Sequence, residues 1–223
     1  MTTRTRRQLS LALGFAGFFA ALWYLWYTPV VYPLKIFVVL LHELSHAVAL
    51  WVTGGTVESI SLDPRQGGLT LGRGGNAFLT LSAGYLGSLA FGGLLVMGAG
   101  SRRIRSSALL AGVGGAVLLL TLLYIRGGFG IAYGLAAGLA LLAGARYLSA
   151  VWAARLIMAL GLTSVGYAIL DIKSDILDRP GLQSDAAMLA ELTGVPTVAW
   201  GILWIVIAIC AAVWLFRHTI RRA

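Results

Sequence analysis

Two histidines and a glutamate carry the densest chemistry in this chain: His42-Glu43-Leu44-Ser45-His46. The pentad sits inside an apolar run, 33–52, whose only other charge is Lys35. In a helix, residues four apart lie on one face, one turn apart. That spacing lets both imidazoles reach one metal ion. Glu43 falls on the flank of the same face, where a carboxylate can take a proton from water at the metal. Two of the chain's three histidines are used here. Ionisable groups inside a membrane span are costly to desolvate, and where they occur they are paired or functional. The pattern implies metal-assisted hydrolysis at membrane depth. Its plain competitor is a polar patch that joins neighbouring helices.

A catalytic zinc takes three protein ligands and keeps a place for water, so His42 and His46 need a partner from elsewhere. His218 stands among Arg217, Arg221 and Arg222 beyond the last apolar run, the setting of an interfacial residue. Cys210 is the single cysteine and lies mid-run, which excludes an internal disulfide and a thiolate cluster. Acidic residues remain. Asp171 follows Leu170 at the end of an apolar run, at the membrane boundary, and is the first candidate on position. Asp185 is the rival, at the start of a short helix that could fold back over the site. Asp175, one turn from Asp171, could support a ligand through a hydrogen bond. Asp63 and Asp178 read as turn and loop residues, and Glu58 and Glu191 as surface charges. The residues alone leave Asp171 and Asp185 as alternatives.

The elements that must position these groups are membrane helices. The chain is 59% hydrophobic and 11% charged, whereas a soluble domain carries roughly a quarter charged residues. Seven apolar stretches, 9–27, 33–52, 77–99, 106–125, 128–145, 148–170 and 197–216, approach the ~20 residues that cross a bilayer core. The expected fold is an all-α polytopic membrane protein, a single domain over 1–223, with about six to seven transmembrane helices and a short β-hairpin after the second. The hairpin lies in 54–76. Ile60 and Leu62 alternate with Ser59 and Ser61, Asp63-Pro64-Arg65-Gln66-Gly67-Gly68 supplies a turn, and Leu69-Thr70-Leu71 alternates again. In the polar segment 171–196, Ser184-Asp185 reads as the N-cap of a helix over 186–192 that Gly194 and Pro196 close.

Net charge is +9, yet the arginines cluster at the ends of apolar runs: Arg4, Arg6 and Arg7; Arg102, Arg103 and Arg105; Arg217, Arg221 and Arg222. That placement suits the lipid bilayer and no nucleic acid. Trp23, Tyr24, Trp26 and Tyr27 end the first run as an interfacial belt, so it reads as a retained anchor rather than a cleaved leader. Seven full spans would put the two basic termini on opposite sides, against the positive-inside tendency. A re-entrant 77–99 or one span fewer would remove the conflict. Arginine over lysine, with abundant glycine and alanine, points to a bacterium with a GC-rich genome.

These residues resemble the site-2 protease family of intramembrane zinc metallopeptidases, most closely its small bacterial, fungal and plant branch of site-2-protease-like proteins. The likeness rests on His42–His46 in a span, the following hairpin, Ser82-Ala83-Gly84-Tyr85-Leu86-Gly87-Ser88, Leu170-Asp171-Ile172 with Asp175, and Ser184-Asp185-Ala186. It covers 31–88 and 170–200, and the middle spans match in hydropathy only. Better-studied members carry Ala-Gly-Pro and then an asparagine; here Tyr85 stands for the proline and Ser88 falls where the asparagine would be. They also carry Leu-Asp-Gly where this chain has Leu170-Asp171-Ile172. The resemblance implies a zinc cofactor on His42, His46 and either Asp171 or Asp185, Glu43 as the catalytic group, and Ser88 on the substrate side. It implies a transmembrane protein substrate that unwinds locally and is received by the hairpin as an added strand. It places the chain in a bacterial plasma membrane. A non-catalytic scaffold and a transporter are the competing classes, though the internal repeats typical of transporters are not evident. Oligomeric state is left open.

Overall fold

A computed structural model describes residues 3–101, 103–178 and 183–221. Arg102 and Arg222 lie outside the described residues, as do the side chains of Arg4, Arg7 and Asp178. Among the described residues, eight α-helices and three short strands follow in the order α1 (Thr3–Tyr24), α2 (Tyr32–Val52), β1 (Thr56–Asp63), β2 (Gly67–Arg73), α3 (Ala77–Ala99), α4 (Ser106–Leu123), β3 (Ile125–Arg126), α5 (Gly128–Tyr147), α6 (Ala150–Ile172), α7 (Asp185–Thr193) and α8 (Thr197–Arg221). Among the described residues, six helices are long and apolar enough to cross a membrane: α2, α3, α4, α5, α6 extended to Ile176, and α8. The apolar part of α1, Gln8–Tyr24, is shorter. The polytopic helical architecture with a hairpin after the second helix is as the sequence implies.

The helix that carries the pentad is the most enclosed of the spans. In α2, 67% of the apolar window is buried within the protein, against 22% in α5 and in α8. A mostly apolar helix belongs inside a bundle, and α2 is enclosed by α3, α6 and the hairpin strands. Pro33 opens it, where a missing N–H costs nothing. At its end Thr53 Oγ1 donates to Ala49 O (2.6 Å) and accepts from Asn76 N (3.0 Å). Asn76 in turn caps α3 through Leu79 N (3.0 Å). The end of one site helix is thus tied to the start of the next.

The hairpin does not project away; it lies along α2. Its turn is held by Tyr32 Oη donating to Pro64 O at 2.8 Å, and its second strand by Thr70 at Glu43. Strands β1 and β2 pair antiparallel, with Ile60 opposite Thr70 and Asp63 opposite Gly67. The turn works because Gln66 adopts a left-handed conformation (φ 70) and Asp63 Oδ1 accepts from Arg65 N at 2.6 Å. Along β2, Gly68, Thr70 and Gly72 face α2, while Leu69 and Leu71 point away and are exposed. The sheet has a third strand that the sequence did not announce: β3 pairs parallel to β1 through Ile60–Ile125 and Ser61–Arg126. The order β2-β1-β3 leaves β2 with a free edge.

The segment after 170 also departs from expectation. Helix α6 continues past Leu170 to Ile172 and then as a π-turn, Lys173–Asp178, so Asp171 lies within a helix and not at its limit. Farther on, the capping reading holds. Ser184 Oγ accepts from Ala187 N at 3.3 Å, and Gly194 closes α7 in the left-handed region (φ 75). Gln8 Nε2 donates to Ile220 O at 3.3 Å, which brings the start of α1 to the end of α8. Arg6, Arg217 and Arg221 therefore share one end of the bundle, as the positive-inside tendency asks.

Candidate metal centre

Three elements build the site. Helix α2 presents His42 and His46 with ring centroids 4.8 Å apart. Helix α3 crosses them at Gly84, where an added Cβ would collide with His42 Nε2 and Asp185 Oδ2; only a glycine lets this backbone pass so close. Helix α7 brings Asp185 as its first residue. Its seat is apolar: Ala186 and Leu189 are fully buried in a cluster with Tyr85, Ile172, Ile176 and Trp204. Docking those two side chains turns Asp185 inward. Its Oδ2 lies 3.0 Å from His42 Nε2 and 3.3 Å from His46 Nε2.

The two contacts of Asp185 Oδ2 have the spacing of ligand atoms on one metal ion. Ligand atoms at about 2.0–2.1 Å from a tetrahedral zinc stand about 3.3 Å from one another, close to the distances between Asp185 and the two imidazoles. Asp185 Oδ2 is buried and meets no aligned hydrogen-bond donor, so these short contacts do not satisfy it as hydrogen bonds. His46 Nδ1 sits 2.7 Å from Thr80 O. A carbonyl only accepts, so in the neutral ring Nδ1 holds the proton and Nε2 offers its lone pair to the cluster. Burial alone would raise the Asp185 carboxyl, but when the facing His46 and His42 rings carry a second proton their positive charge outweighs it and holds the group well below the usual carboxylate range.

Glu43 is buried beside this cluster; it and the two histidines offer ligand atoms within 4.8 Å of one another. Its carboxylate is tied back to the hairpin, with Thr70 Oγ1 donating to Oε2 at 2.7 Å. His42 is flanked edge-on by Tyr85, with centroids 4.7 Å apart. Tyr85 Oη donates to Asp175 Oδ2 at 2.9 Å, so Asp175 supports the aromatic wall of His42.

The other sequence candidates sit outside the contacts between Asp185 and the imidazoles, although Asp171 is near enough to His42 and Tyr85 to act on both electrostatically. Asp171 lines a cavity of about 590 Å³ between the end of α1, the hairpin turn and the end of α6, with Trp26, Gln66, Gly67 and Lys173 among its walls. Ser88 is buried against α6; its Oγ donates to Tyr85 O (3.0 Å) and its carbonyl accepts from Ser164 Oγ (2.8 Å). Cys210 is exposed on α8, and His218 stacks on Trp214 at 5.1 Å. Sequence reasoning passed over Thr70 and Thr80. Thr70 had a signal, because Gly68-Leu69-Thr70-Leu71-Gly72 puts small residues at every second position. Thr80 acts through its carbonyl, which no residue type encodes.

Six long apolar helices suggest an integral membrane protein, and the buried imidazole–imidazole–carboxylate cluster with a further carboxylate beside it is a donor set of the kind metallopeptidases use. Residues 15–215 match the family model described as Peptidase M50B-like. The chain belongs to that family, and with it to the site-2 protease group. The match runs through the middle helices, where the sequence offered hydropathy alone. No curated protein and no solved structure gives a significant match.

Proposed function

We propose that this chain is a zinc metalloprotease that hydrolyses peptide bonds in or near the transmembrane segments of other membrane proteins. The observation that carries the reading is the meeting of Asp185 Oδ2 with both Nε2 atoms, at 3.0 and 3.3 Å, at a buried point that Gly84 keeps clear. His42, His46 and Asp185 would hold the ion, and Asp185 is preferred to Asp171 on that geometry. Zinc bound there supplies Lewis acidity and makes water acidic enough to be deprotonated near neutral pH. Glu43 would take that proton on its carboxylate and return it to the leaving amine; its buried carboxylate beside the two imidazoles supports this role. The wall of Gly67 brings the 590 Å³ cavity next to Gly68, which touches Glu43, and this supports a route for water.

A peptide bond in a helix is shielded by its own hydrogen bonds, so the substrate must open locally. The free edge of β2 passes Glu43 and can take the opened segment as an additional strand. The expected setting is a bacterial plasma membrane. Zinc analysis and cleavage of a labelled single-span peptide by the purified protein test the reading. One zinc per chain is expected. Glu43→Gln is expected to keep the zinc and lose turnover by about 10²–10⁴-fold, the usual worth of a general base. A protein that binds no zinc, or a Glu43→Gln variant as fast as the wild type, contradicts it and favours a scaffold.

A further inference from the structure

Glu43 stands close enough to the imidazole nitrogens to become a metal ligand itself, its carboxylate being within 4.8 Å of theirs. A base that coordinates the ion is no longer free to move a proton. Something must hold it aside, and the hairpin does so from two directions. Thr70 Oγ1 lies 2.7 Å from Glu43 Oε2 and 3.0 Å from Glu43 O, so one hydroxyl spans the side chain and the backbone of the same residue. Gly68 lies against the other carboxylate oxygen and Cγ, at a distance where an added Cβ would overlap both. Gly72 packs in the same way on Leu50. The inward face of β2 is thus glycine, threonine, glycine, and Thr70 is the one polar side chain among them.

We infer that Thr70 and Gly68 form a clamp that keeps the Glu43 carboxylate beside the metal donors and off the metal. Both are positioning residues; neither needs to touch the substrate. The inference rests on the metalloprotease reading above and adds that the hairpin sets the base. Because the same strand has the free edge, a segment docking on β2 bears directly on the residue that holds Glu43.

The test uses the purified full chain loaded with Co²⁺, whose d–d absorption reports ligand set and geometry where zinc is silent. Thr70→Val keeps the shape and removes the hydroxyl; Thr70→Ser keeps the hydroxyl. Expected for Thr70→Val are a changed cobalt band and, on a labelled single-span peptide with Gly and Pro at its centre, kcat lowered about 10-fold or more with KM within about twofold. Thr70→Ser is expected to restore the wild-type band and kcat within about threefold. Bound cobalt with a Thr70→Val band and kcat like the wild type overturns the clamp alone. A wild type that takes up no cobalt overturns the metalloprotease reading and the clamp with it. If the peptide is not cut, the cobalt band decides.

Discussion

Two helix crossings in this protein use the same packing device to opposite ends. Helices α4 and α5 meet through Gly114, Gly134 and Gly138, whose absent side chains let in Leu141, Thr121 and Leu118. Helices α2 and α3 meet through Gly84 and Gly87, whose absent side chains let in His42 and Ser45. In the first seam the space is filled by hydrocarbon and a hydroxyl that bonds its own helix, Thr121 to Val117 O at 2.7 Å. In the second, Ser45 likewise bonds its own helix, at Leu41 O (2.6 Å), but the space at Gly84 holds an imidazole and a carboxylate with no aligned donor. Glycine at a helix crossing is therefore no marker of a site. What distinguishes the two is the polarity of the group that enters the space. A close approach between apolar helices gains dispersion contacts; around His42 it lets the imidazole and the Asp185 carboxylate meet.

Substitutions separate the two seams. The largest effect is expected at Gly84, where a methyl group would fill the point shared by His42 Nε2 and Asp185 Oδ2. Gly84→Ala should lose bound metal and turnover together while far-UV circular dichroism stays helical; metal retained at one per chain would break the comparison. Gly138→Ala is next. It overpacks Leu118 and the Gly114 carbonyl, at a cost of about 1–3 kcal/mol in thermal or denaturant unfolding. Its metal content per folded chain should be unchanged. Ser88→Ala should be the mildest. Its hydroxyl is already given to Tyr85 O, so the loss is one hydrogen bond of about 0.5–1.5 kcal/mol. Turnover within about threefold of the wild type is expected. A larger fall in kcat/KM would restore the substrate contact that the family resemblance implies.

Much of this was legible in the chain itself, because the relevant signals are local. The alternation at Ile60, Leu62, Leu69 and Leu71 marks the hairpin, and Ser184 with Gly194 marks both ends of α7. The two-residue strand β3 is too short for any period, and its parallel partner is set by tertiary approach. The third ligand was open for a related reason. Position along the chain puts Asp171 first, at the end of an apolar run, but α6 continues through Ile172 and a π-turn. Asp185 comes to the histidines because Ala186 and Leu189 are buried against Tyr85, Ile172, Ile176 and Trp204, an arrangement that no stretch of sequence announces. The clamp at Thr70 shows the same limit: the small residues at alternate positions are visible, but not the helix they face.

The central claim is that Asp185 completes a metal site with His42 and His46. Metal content of the purified protein, wild type against Asp185→Asn and Asp171→Asn under non-chelating conditions, tests it most directly. The account predicts one zinc per chain in the wild type and in Asp171→Asn, and little or none in Asp185→Asn. Zinc retained in Asp185→Asn and lost in Asp171→Asn would contradict it.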